Sequence, residues 1–154
     1  MRMKISRVVE IYNAMTALDG RQKIVTTNNQ QQVVTEPYAF DGETQLLLAI
    51  NKNRLRPHFD LAVELERKVL NEAQAKVQEL NSNGLDQKEI ERRTQKVNSG
   101  LATELQEMRN VEIDVKFKKI NISKLKLDEN RIPSSEIERI FPMLKYEEPL
   151  GEEE

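Results

Sequence analysis

Cysteine is absent from the 154 residues, which removes disulfides, thiolate metal sites, iron–sulfur clusters and cysteine nucleophiles together. Histidine occurs once, at His58, so a multi-histidine metal centre is excluded. Long hydrophobic runs are missing too: the longest, Leu46–Ile50, falls far short of the roughly 20 apolar residues that cross a bilayer. Met1–Arg7 has a positive flank with no apolar segment behind it, so no signal peptide is expected. With the missing cysteines, this points to the cytosol. Glycine is sparse and scattered (Gly20, Gly42, Gly84, Gly100, Gly151), which leaves neither a P-loop nor a dinucleotide fingerprint. Nor does one sign of charge dominate. A net charge of -2 argues against a generally basic nucleic-acid coat, though not against a local patch.

What is present is polarity with helical period. Hydrophobic residues make up 38% and charged residues 32%, against about 45–50% and about 25% in an average domain. The balance favours long amphipathic helices or an oligomer over a thick globule. Ser6 is placed to cap a first helix carrying Ile5, Val8, Tyr12 and Met15, with Gly20 expected in the left-handed position after it. The β-branched runs Lys23–Thr27 and Gln32–Thr35 around Asn28–Gln31 predict a β-hairpin closed by Pro37. The following loop carries Tyr38 and Phe40 towards the core.

Asp41 is a good N-cap for the main helical region. Leu48, Leu55, Phe59, Ala62, Leu65, Val69, Ala73, Val77 and Leu80 repeat at spacings of three, four or seven, and hold their phase across Pro57. Either one helix runs through Pro57 with a kink or two helices meet there; the preserved phase favours the first. Asn81–Gly84 stops the pattern, and Asp86 with Glu89 opens a second helix through the capping-box spacing. Ile90, Val97, Leu101, Leu105 and Met108 form its apolar stripe. Two helices joined by so few residues must run antiparallel. At Val111 the period falls to two, predicting a strand through Phe117 that pairs with the early hairpin or with another subunit. Slips of phase at Ile120 and Leu125 imply bends. Ser135 with Glu138 predicts a last short helix stopped by Pro142, and 147–154 is an acidic stretch expected to be disordered. The fold class expected is α+β, mainly helical: a long antiparallel helical hairpin, a small antiparallel β-sheet and a short C-terminal helix, in one domain over 1–146.

Candidate chemistry is thin. His58 lies beside Lys52, Arg54 and Arg56, a cluster suited to a phosphate, but it shows no orienting partner for general-base work. Lys116, Lys118, Lys119, Lys124 and Lys126 could follow a nucleic-acid backbone. Glu112 and Asp114 on the same face would repel it, and no aromatics alternate with the lysines, so nucleic acid is not the expected partner. Glu64/Glu66, Glu89/Glu91 and Glu104/Glu107 are the closest carboxylate pairs, and only the last shares a helix face. None lies on the apolar stripe, where burial would tune a pKa. No enzyme activity, catalytic residue, cofactor or metal is expected. The narrow apolar seam of a charged hairpin calls instead for a partner helix. Leu48, Leu55, Phe59, Leu65, Val69, Val97, Leu101 and Leu105 are the expected interface residues, with a second copy or a larger protein as partner. The alternative is a nucleotide binder that uses Tyr38, Phe40, Lys52, Arg54, Arg56 and His58 for stacking and anion contacts.

The order of these segments also resembles small uncharacterised proteins of tailed bacteriophages and prophages. The resemblance rests on Ile11–Leu18, the charged helical pair, Val111-Glu-Ile-Asp-Val115, Ile122-Ser-Lys-Leu125 and Ile132-Pro-Ser-Ser-Glu136 before an acidic end. The segment Lys23–Thr35 looks like an insertion relative to shorter members. The resemblance implies a phage-encoded accessory or morphogenesis protein of the host cytoplasm, in some cases virion-associated, with no assigned reaction to carry over. A nucleotide binder in that setting would be a sponge for host defence signals.

Overall fold

The computed structural model describes residues 1–146; the acidic stretch 147–154 lies outside the described residues. The fold is α+β and mainly helical. Contacts in the range read from sequence as one domain cluster into two compact units. Unit 1 comprises Met1–Val9 and Pro57–Asp114, and unit 2 comprises Glu10–Arg56 and, among the described residues, 115–146. Helices α1 (Ile5–Ala17) and α2 (Gly42–Ser82) contribute residues to both.

Unit 1 is built on the helical hairpin. The second half of α2 ends at Ser82, Gly84 takes the left-handed turn at φ +69°, and α3 (Gln87–Asn110) returns. Asp86 caps α3 by accepting a 2.8 Å hydrogen bond from the Glu89 backbone N–H. The reciprocal half of the expected capping box is absent, because Glu89 turns its carboxylate to Arg92 and Arg93 instead. Hydrogen bonds from Arg92 and then Arg93 hold that carboxyl down from 4.5 to about 2. Further along, Arg109 of α3 is paired with Glu66 of α2. A strand not expected from the sequence, β1 (Arg2–Lys4), pairs antiparallel with β4 (Glu112–Asp114), placing Met3 opposite Ile113. The N-terminal ammonium meets Asp114 Oδ1 at 2.9 Å, and Ile5 N–H donates to the Val111 carbonyl at 2.9 Å. β1 runs straight into α1, so Ser6 lies inside the helix rather than capping it.

Unit 2 holds most of the buried apolar side chains. Ile11 and Met15 of α1, Leu18 just after it, Leu55 of α2, and Ile120, Leu125, Ile137, Ile140 and Met143 of the C-terminal segment are all buried. Two asparagines tie extended chain to this unit. Asn51 of α2 donates from Nδ2 to the Lys118 carbonyl (2.9 Å) and accepts from the Lys118 N–H at Oδ1 (2.7 Å). This does for a bare segment what a neighbouring strand would do. Asn130 accepts from the Ala39 N–H (2.7 Å) and donates to the Leu125 carbonyl (2.8 Å). α2 starts with Asp41 Oδ1 accepting from the Thr44 N–H at 2.7 Å, as its cap role predicts, and stays helical through Pro57.

The expected strand over 111–117 shrinks to β4, which pairs with β1 and not with the early hairpin. β5 (Ile120–Asn121) pairs parallel with β6 (Leu144–Lys145). The phase slip beyond them is a 3₁₀ turn over Ile122–Leu125, followed by Lys126 in the left-handed conformation at φ 48°. Arg131, also left-handed, closes the one-turn α4 (Leu127–Asn130). The last helix, α5 (Ser134–Arg139), follows Pro133; Ser135 lies in its first turn and does not cap it.

The early hairpin is longer and tighter than expected. β2 (Arg21–Thr27) and β3 (Gln30–Glu36) are joined by Asn28-Asn29 alone, both at positive φ. That geometry matches the right-handed twist of the strands, and asparagine tolerates it. Gly20 is not left-handed, contrary to its expected role. It is needed because a Cβ there would sit 2.5 Å from the Glu36 carbonyl oxygen.

Candidate functional sites

The hairpin of unit 1 leaves its own seam open. α3 contains no buried residue although its apolar stripe repeats over four turns. Val97, Leu101, Leu105 and Met108 are each only half-buried. Along one side, α2 and α3 form a groove of about 810 Å³ with a floor of Val69, Ala73, Leu80, Val97 and Leu101. Its α2 rim carries Glu72, Lys76 and Glu79, whereas its α3 rim carries Arg92, Arg93, Lys96 and Glu104. One rim is thus on balance acidic and the other basic.

At the open end of the hairpin lies a second, more apolar cleft of about 510 Å³. Leu61, Leu65, Leu105, Met108 and Ile113 line it, and Leu61 and Val111 are 54% and 53% exposed. The Glu66–Arg109 pair and His58 stand in the same lining. His58 therefore faces an apolar cleft in unit 1 rather than the basic cluster of its sequence neighbours.

Unit 2 has a smaller recess of about 350 Å³, and it gathers four residues of the anion site expected from sequence: Tyr38, Phe40, Lys52 and Arg56. The Tyr38 and Phe40 rings are tilted with centroids 5.9 Å apart. Lys52 is already engaged, with Nζ 3.1 Å from Asp19 Oδ2 and 5.6 Å from the centre of the Tyr12 ring. Arg54 does not join them; it donates to the Lys116 carbonyl at 2.6 Å.

The expected interface set divides. Val69, Val97 and Leu101 line the groove, and Leu65 and Leu105 line the apolar cleft. Phe59 is half-buried beside Leu65 on another face of α2. Leu48 belongs to the recess of unit 2. Leu55 is fully enclosed and is core, not contact surface, because its position in the stripe falls within the tightly packed first half of α2. The lysine run is dispersed as well: Lys119 Nζ donates to the Pro142 carbonyl at 2.6 Å and Lys124 pairs with Asp41 at 3.6 Å. Among the described residues no group of three or more histidine and carboxylate side chains is placed to hold a metal ion. Likewise, none of their helices is long and apolar enough to cross a membrane.

Sequence reasoning overlooked Thr44, Asn51 and Asn130, the buried polar residues. A signal existed for two of them: Thr44 and Asn51 fall in phase with Leu48 and Leu55, polar side chains on an apolar stripe. No family model, no curated protein and no solved structure matches the chain.

Proposed function

We propose that this is a non-enzymatic accessory protein that acts through protein–protein contact and associates with itself through the open groove of the helical hairpin. The observation that carries this reading is the half-exposed stripe of α3, a helix of 24 residues with none buried. Burying a leucine-sized side chain fully is worth roughly 1.5–3 kcal/mol, so covering the remaining area of four or five such residues is a substantial drive. A second hairpin laid across the groove completes a four-helix bundle. In a two-fold arrangement each α2 rim faces the α3 rim of the other copy, setting Glu72 and Glu79 against Lys96 and Arg93. Following the resemblance to tailed-phage proteins, the role is in particle assembly or in modulating a host protein in the host cytoplasm.

Light scattering across a concentration series tests the association. The wild-type chain is expected to gain mass with concentration, and Leu101→Asp, which puts a charge on the groove floor, is expected to lose the association made through the groove and gain less mass at each concentration, with an unchanged helical signal. A wild-type protein that remains a monomer at high concentration refutes the reading.

The recess of unit 2 supports a second reading, a nucleotide-binding sponge, because Tyr38, Phe40, Lys52 and Arg56 line one space. A thermal-shift screen with cyclic and adenine nucleotides tests it; no shift at millimolar ligand removes it, since binding stabilises by mass action.

A further inference from the structure

We propose that the β2–β3 arm pairs edge to edge with the arm of a second copy through β3, forming a four-stranded antiparallel sheet. Every residue of both strands is exposed, and the arm is a sheet of two strands only, so both outer edges lack a strand neighbour among the described residues. A lone two-stranded hairpin is at best marginal in water, and an open edge is a template for another strand.

The two edges differ in protection. β2 carries Lys23, the kind of charge that keeps other strands away, while Arg21 at its start donates to the carbonyls of Asn130 and Arg131. β3 reads Gln30-Gln-Gln-Val-Val-Thr-Glu36, with no cation, no proline and a single carboxylate at its end. Its composition is that of a strand that accepts a neighbour.

Register follows from the turn. A two-residue loop makes Thr27 and Gln30 a hydrogen-bonded pair, so Gln31, Val33 and Thr35 of β3 direct their backbone N–H and C=O outward. A two-fold axis at Val33 then sets Val33 opposite Val33 of the second copy and Gln31 opposite its Thr35, giving about six main-chain hydrogen bonds. Glu36 falls opposite Gln30, so no like charges meet. Val33 is already the cross-strand partner of Ile24, and both are 67% exposed. The pairing therefore joins Ile24 and Val33 of each copy into one continuous apolar row, where cross-strand contacts add to the backbone bonds.

The arm proposal does not rest on the groove, and the experiments separate them. With no native cysteine, Val33→Cys introduces a single thiol facing its own symmetry mate within the span of a disulfide. Under mild oxidation it is expected to form a dimer several-fold faster than Val25→Cys, which is placed on the other strand. The same advantage is expected in a Leu101→Asp background. In the unmodified protein, the amides of Gln31, Val33 and Thr35 are expected to exchange more slowly as concentration rises, while those of Gln22, Ile24 and Thr26 do not change. Equal crosslinking of the two cysteine variants, loss of the difference in the Leu101→Asp background, or concentration-dependent protection of both edges would each overturn the proposal; the last would mean open-ended stacking of strands.

Discussion

Asn51 does more for this fold than its polarity suggests. Enclosed completely, it meets both backbone groups of Lys118 with one side chain. Asn51→Ala removes both hydrogen bonds to the Lys118 backbone, at about 0.5–1.5 kcal/mol each, so a loss of about 1–3 kcal/mol is expected in urea unfolding. A loss below about 0.5 kcal/mol, the range of a neutral surface change, would show the fork to be dispensable. Glu89 gives a pH signature. Its carboxyl is held down from 4.5 to about 2 in the folded chain by Arg92 and Arg93. The unfolded state therefore takes up the proton first as pH falls. The contribution of Glu89 is present in full above about 4.5 and disappears as pH drops towards about 2. Melting curves at low ionic strength should show the acid loss of the wild type exceeding that of Glu89→Gln in this window. Because the group is exposed, salt should shrink the difference.

At the scale of elements, periodicity alone makes the helical hairpin legible: Asn81–Gly84 and Asp86 mark its bend and the stripes mark its seam. The β-arm is legible from its β-branched runs, although the turn is two residues rather than four. The short pieces are not. β1, β5 and β6 span three residues or fewer, too few for a period to emerge, and their pairing is set by tertiary packing rather than by local pattern. The same holds for Gly20, whose need for empty space depends on where Glu36 arrives. Of the candidate sites, the groove is foreseeable from the stripe. The separation of His58 from Lys52 and Arg56 is foreseeable too, because positions two and six residues apart on one helix fall on different faces. Pro57 costs the helix a hydrogen bond. Pro57→Ala should therefore raise the melting temperature, with a gain of at most about 3 kcal/mol, the cost of proline in a helix interior; a fall would show that the ring itself is needed there.

For the molecule as a whole, burial is unevenly shared. Met3 and Val8 are the buried apolar side chains of unit 1 among the described residues, and the rest belong to unit 2. Local stability follows buried contacts. Backbone amides of α3 should thus exchange faster than those around Ile11, Ile120 and Ile140 in dilute protein, and slow down once hairpins associate. Uniform exchange across both units at low concentration would contradict this division. It would also mean that the hairpin needs no outside cover.

One consequence concerns the root of the arm. Gly20 is only half-buried, yet the space beside its Cα is filled by the Glu36 carbonyl and the Thr35 methyl, at 2.5 and 2.7 Å from any added carbon. In a saturation scan this position should behave with the intolerance of an interior site while its neighbours, Asp19 and Arg21, accept replacement. A single hydrogen atom there keeps the two strand ends closed, much as a pin keeps a pair of shears from parting at the pivot.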